Sequence, residues 1–175
     1  MIFRSLSLML VLIGLVGCVG AVPQAIREAS TASPTLTDAR ESPARHLGRR
    51  VRWGGSILRV RNLARVTEIE VLARPLNRFG EPDADAQSLG RFIAEFPGFR
   101  DPTDYPSERL LTIVGILVTV ETRPVGEFPY RYPVVAIETL HLWPKPIPRY
   151  PYPAPYPWYG PWPGIYRTPW YLPWD

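Results

Sequence analysis

Proline decides where this chain is able to fold. Half of its 22 prolines lie from Pro144 onward, in runs such as Pro148-Arg149-Tyr150-Pro151-Tyr152-Pro153. Proline lacks an amide hydrogen and has a fixed φ, so at this density helices and sheet ladders are excluded and extended polyproline II is favoured. The same stretch carries five of the six tryptophans, counted from Trp143. Residues 145–175 are therefore expected to be a Pro/Tyr/Trp-rich tail, and the core must come from residues before it. Such aromatics suit membrane–water interfaces, sugar rings or proline-binding grooves. A low-complexity tail that simply stays soluble is the other reading.

Before the tail, 175 residues in total leave room for one domain. The periodicity of residues 44–144 is that of β structure. Val51 and Trp53 alternate with Arg50 and Arg52, Gly54-Gly55 marks a bulge or sharp coil, and Ile57 to Val60 continues the strand. Val66–Leu72 reads as its hairpin partner after a loop over 62–65, a register that sets Arg59 opposite Glu68. Leu76–Ser88 reads as a loop and Gly90–Phe96 as a third strand. Asp101-Pro102 is a helix start, with a single turn expected to reach Glu108. Leu110–Val120, β-branched on both faces, predicts a central strand; Gly126–Pro133 reads as a long turn and Val134–Trp143 as the last strand. Five strands, a glycine bend in the first and one short helix before the fourth predict a mainly β, OB-like small barrel. An open sheet or sandwich is the alternative.

The N-terminus reads as a leader. Arg4 precedes an apolar run from Leu6 to Val16, which is too short to span a bilayer as a helix. The run closes on Leu15-Val16-Gly17-Cys18, holding the only cysteine, and resembles the bacterial lipobox. The resemblance implies cleavage before Cys18, a diacylglyceryl group on its sulfur and an acylated new amine. Several buried acyl chains hold a protein on a membrane stably where one does not. Domain limits follow: 1–17 signal peptide, 18–43 lipidated flexible tether (Ala/Ser/Thr/Pro-rich, with a brief helix over Pro23–Ala29), 44–144 barrel, 145–175 tail. With Cys18 acylated no disulfide is available, so the fold rests on packing.

Losing the leader removes Arg4 and no acid, which takes the formal charge from +4 to +3 and makes nucleic acid an unexpected partner. Arginines 45, 49, 50, 52, 59, 61 and 65 nevertheless cluster with no acid among them. Arg49, Arg50 and Arg52 are candidate contacts for an anionic envelope glycan such as lipopolysaccharide or peptidoglycan, against the alternative of solvated strand positions. Trp53 has two readings as well, a core side chain or a stacking platform.

Chemistry-bearing patterns are scarce. His46 and His141 are the only histidines, and His141 alternates with apolar neighbours. Ser56 and Ser88 lack a nucleophile elbow. Asp83/Asp85 fall in a polar loop, and Glu68/Glu70 repeat at strand spacing on what reads as a solvent face. No catalytic residue, metal ligand or cofactor is expected, and the chain reads as non-enzymatic.

One ordered series of segments runs through residues 44–144. It comprises Val51-Arg52-Trp53-Gly54-Gly55-Ser56-Ile57, Thr67-Glu68-Ile69-Glu70-Val71-Leu72, Pro75-Leu76, Gly90-Arg91-Phe92, Gly98-Phe99 with Asp101-Pro102, and Leu111-Thr112-Ile113-Val114-Gly115. Gly126-Glu127, Tyr130-Arg131-Tyr132-Pro133-Val134-Val135 and Leu142-Trp143-Pro144 complete it. This series resembles the Slp family of Gram-negative outer-membrane lipoproteins, and the resemblance implies an outer-membrane lipoprotein of a starvation-associated family, a structural or stress-associated envelope component on the periplasmic leaflet. The lack of Asp after Cys18 agrees with outer-membrane sorting. Partners implied are the membrane, through the N-terminal lipid, and an envelope glycan or another envelope protein.

Overall fold

A computed structural model describes residues 22–28 and 33–145. Five strands, β1 (Arg50–Asn62), β2 (Val66–Ala73), β3 (Gly90–Pro97), β4 (Leu110–Val125) and β5 (Phe128–Leu142), close into a barrel in the order β1-β2-β3-β5-β4. Neighbours run antiparallel except β3 and β5, whose short parallel ladder (Ile93↔Val134 to Glu95↔Ala136) closes the ring. The chain is thus mainly β, as its alternation predicts.

Alternation also sets the core. Val51, Trp53 and Ile57 of β1, Ile69 and Val71 of β2, Phe92 and Ala94 of β3, Leu111, Ile113 and Leu117 of β4, and Val135 of β5 form one buried cluster. Each such Ile, Leu or Phe removed from water contributes about 1.5–3 kcal/mol. Trp53 belongs to this cluster, edge-on to Phe92 at 5.5 Å, and its indole N–H donates to the Pro34 carbonyl at 3.1 Å. It is a core side chain.

Two glycines let strands approach where a side chain would not fit. A Cβ on Gly55 would lie 1.9 Å from the Leu72 carbonyl oxygen, and one on Gly115 2.2 Å from that of Ala136. Gly55 sits where β1 is paired to β2 and β4 at once, and Gly115 at a bulge in the β4–β5 ladder. A bulge with a glycine is a standard way to curve a small barrel.

Several expectations need correction. The region read as a turn over Gly126–Pro133 is mostly strand: β4 and β5 pair continuously out to Val125↔Phe128, forming a two-stranded arm that extends past the ring. Prolines 124, 129 and 133 are tolerated there because beyond the ring each arm strand has an outer edge where a missing N–H does no harm. The β1–β2 register differs by two residues, because the hairpin pairing starts at Asn62↔Thr67, one position further along each strand than a loop over 62–65 would set; a bulge follows between Arg59 and Ile57. Arg59 therefore faces Glu70, and Arg61 faces Glu68.

The single short helix expected before β4 is a 3-10 turn, Pro102–Asp104, capped by the Asp101 side chain on the Thr103 amide at 2.9 Å and ending well before Glu108. Three further short helices lie upstream: α1 (Gln24–Arg27), α2 (Leu36–Glu41) and α3 (Pro43–His46). Helix α1 falls where a brief helix is expected over Pro23–Ala29, α2 lies within the segment read as a tether, and α3 straddles its end at Pro43. Ile26, Leu36 and Ala39 are buried, Ile26 against Val114 and Trp143 and the other two in the barrel core. A reciprocal capping box between Thr35 and Asp38 starts α2.

Candidate functional site

The densest polar constellation is built on β2. Ile69 and Val71 point into the barrel, so Glu68 and Glu70 point out. Their face is not solvent, however. The β4–β5 arm brings Arg123 and Tyr132 onto it, with Tyr132 and Val134 packed on Ile93, and leaves the two carboxylates only 3% and 6% exposed.

Every carboxylate oxygen is engaged. The Arg123 guanidinium grips Glu68 through both oxygens, at 2.8 and 2.7 Å, and also reaches Glu121 at 2.6 Å. Arg61 donates to Glu68 at 2.5 Å. Glu70 accepts from Arg59 at 2.5 Å, from Arg91 at 3.0 Å and from the Tyr132 hydroxyl at 2.8 Å. Bidentate arginine–carboxylate contacts are among the stronger polar interactions.

The electrostatics follow from these contacts. Hydrogen bonding from Arg123, helped by Arg61, holds the Glu68 carboxyl below its ordinary value in spite of burial. Burial pushes Glu70 upward, but donation from Tyr132, Arg91 and Arg59 outweighs it and the net shift is downward. Glu95, opposite Glu68 on β3, goes the other way: burial raises it, and the charges of Glu68 and Glu121 add to the rise. Burial and donation to Glu70 raise the Tyr132 phenol.

The space enclosed by Arg59, Arg61, Glu68, Glu70, Ile93, Arg123 and Tyr132 is about 10 Å³. That holds at most a single water. These paired carboxylates satisfy one another's neighbours and fasten the arm to the ring; a substrate has no room between them. Their reading as a solvated pair is corrected by the arm that covers them. Arg123 and Tyr132 were not singled out from sequence, although Glu121/Arg123 and Tyr130/Tyr132 repeat at the strand period of two.

The other sequence candidates are scattered. Cys18 lies outside the described residues. Arg49 and Arg50 are exposed at the start of β1, with Arg50 donating to Glu138 at 2.7 Å. Arg52 is half-buried and turned toward α1, its Nη1 donating to the carbonyls of Ile26 at 2.9 Å and Arg27 at 3.2 Å. His141 sits edge-on to Trp143 at 4.6 Å, and burial lowers its pKa. Asp83 caps the Asp85 amide within its loop at 3.1 Å. Among the described residues no three His, Cys, Asp or Glu side chains group as metal ligands, and no helix is long and apolar enough to cross a membrane.

Comparison with known proteins completes the picture. The model of the outer membrane lipoprotein Slp family matches residues 15–173, nearly the whole chain. This chain belongs to that family. The match runs beyond residues 44–144 at both ends, taking in Cys18 and most of the proline-rich tail. The uncharacterized lipoprotein YeaY of Escherichia coli K12 is 31% identical over 128 residues, covering 73% of this chain and 65% of YeaY. The outer membrane protein Slp of the same strain is 26% identical over 139 residues, covering 78% of this chain and 73% of Slp. An uncharacterized protein of Haemophilus influenzae is 38% identical over 94 residues, 53% of this chain and 51% of that protein. The chain thus aligns with about half to two thirds of the length of YeaY and the Haemophilus protein. No solved structure matches.

Proposed function

We propose that this Slp-family chain is a non-enzymatic envelope component, structural or stress-associated, moored to the periplasmic leaflet of the outer membrane by an acylated Cys18. The observation that carries the reading is Leu15-Val16-Gly17-Cys18 at the end of a short apolar leader, inside the span that the family model matches. The leader is 1–17 and the tail 145–175, as their composition indicates.

The packing of α1 adds a physical consequence. Ile26 is fully buried only eight residues after Cys18. An extended chain reaches about 3.3–3.6 Å per residue, so the lipid and the barrel surface are held within about 30 Å. The body then rides close to the headgroups and meets envelope molecules there.

Fractionation of cells making the wild type and Cys18→Ala tests the reading. The wild type is expected to sediment with outer membranes and the variant to leave them; identical behaviour of the two refutes anchoring.

A second reading, contact with an anionic envelope glycan through Arg49, Arg50 and Arg52, is supported by the exposure of Arg45, Arg49 and Arg50 along one stretch of chain. Binding to lipopolysaccharide that weakens with salt and with Arg49→Gln/Arg50→Gln favours it, since exposed charge contacts are screened. Salt-insensitive binding counts against it.

A further inference from the structure

Between the Ser33–Leu36 segment, the middle of β1 and the chain just after β2 lies an open cavity of about 240 Å³. Its walls include Pro34, Leu36, Trp53, Leu76 and Leu89. The one polar atom of the Trp53 side chain is already used on the Pro34 carbonyl, so the ring presents apolar surface.

Two arginines, Arg52 and Arg74, are among the residues that line the same space. Arg50, Arg59, Arg61, Arg91 and Arg123 are each paired with a carboxylate, whereas among the described residues Arg52 and Arg74 form no ion pair. Arg52 spends Nη1 on the carbonyls of α1, and Arg74 spends Nη1 on the Ala86 carbonyl. The Nε–H of Arg74 is buried and has no acceptor. A buried donor without an acceptor is costly and uncommon in folded proteins. Burial lowers the pKa of Arg52, the mark of a cation withdrawn from water without a counter-charge.

We propose that this cavity binds a single-chain amphiphile with a carboxylate head, the anion of a short or medium-chain fatty acid. The carboxylate sits at Arg74 and Arg52, whose planar donors match its two oxygens. The alkyl chain lies along Trp53, Leu36 and Leu76. A space of about 240 Å³ suits one short chain and is too small for a two-chain lipid. The site lies in the folded body and does not depend on Cys18.

The test uses a photoreactive diazirine analogue of octanoate, irradiated with the full chain in the cell fraction that holds it, followed by peptide mapping. Label is expected on segments 33–36, 73–76 and 86–89. Octanoate should compete at least about tenfold better than octanol, which lacks the charge, or acetate, which lacks the chain. Arg74→Gln should reduce labelling about tenfold. Leu89→Trp, which fills the cavity from its exposed rim, should abolish it. The competition in wild-type protein needs no variant to fold. Equal competition by octanol, label spread without preference for the lining, or labelling indifferent to both variants overturns the proposal.

Discussion

Arg123 holds Glu68 with both arms of its guanidinium, at 2.8 and 2.7 Å, across 55 positions of sequence. The contact joins the outer arm of β4–β5 to the face of β2. Replacing Arg123 with Ala leaves Glu68 buried with Arg61 as its remaining arginine. Breaking one side of a fully buried pair costs about 3–5 kcal/mol, and the partial exposure of Arg123 reduces this to about 2 kcal/mol. Arg61→Ala removes a more exposed partner and should cost less than about 1 kcal/mol. Urea denaturation of the two variants measures the difference, and equal losses would mean that the arm is not fastened here.

Acid should loosen the same cluster. The carboxyls of Glu68 and Glu70 lie below their ordinary values in the fold. Their contribution is therefore present above the unfolded glutamate value of about 4.3, and it is lost as pH falls through their folded values. Tyr132→Phe removes one donor to Glu70, so the acid unfolding midpoint should move up and neutral stability fall by about 1–2 kcal/mol. Circular dichroism against pH for wild type and variant reads both effects.

Glu95 works in the opposite direction. Its folded value is raised by burial and by Glu68 and Glu121, so its contribution is present below the unfolded value and is lost as pH rises through the folded one. Glu95→Gln should stabilise the protein at neutral pH and leave it little changed at pH values below the glutamate range. A neutral variant less stable than wild type would show that Glu95 is needed charged.

Gly55→Ala should be far more damaging than its size suggests. The added methyl would sit 1.9 Å from the Leu72 carbonyl carbon's oxygen, and β1 is held on both sides there. Overpacking of this kind costs about 3 kcal/mol or more where backbone cannot yield. Loss of soluble expression or a collapsed melting temperature is the expected outcome.

How far the fold was legible depended on what alternation encodes. Val51/Trp53, Ile69/Val71 and Phe92/Ala94 repeat at period two with one buried face, and the first three strands follow from that signal, whereas β4 follows from its β-branched composition. The Arg59–Glu70 register did not, because a slip of two residues returns every side chain to the same face and leaves the hydrophobic pattern unchanged. Glu68 and Glu70 were assigned to the right face. Whether another part of the chain covers that face is a tertiary matter, decided by the β4–β5 arm. Ile26, Leu36 and Ala39 are similar: isolated apolar residues in a polar segment, too sparse to register as a period, yet buried once the barrel offers a surface.

That N-terminal packing has its own check. Thr35→Ala removes the side-chain acceptor at the start of α2 and should cost about 1 kcal/mol. Hydrogen exchange should speed up at Asp38 and Ala39 in the variant. Wild-type amides there that exchange as fast as those of an unfolded peptide would contradict a packed segment.

The mooring of the chain is tested most directly by intact mass spectrometry of the protein extracted from outer membranes. The account predicts a mature chain beginning at Cys18, heavier by a diacylglyceryl group and an amide-linked acyl chain. A polypeptide that still begins with Met1 and carries a free thiol at Cys18 would contradict it.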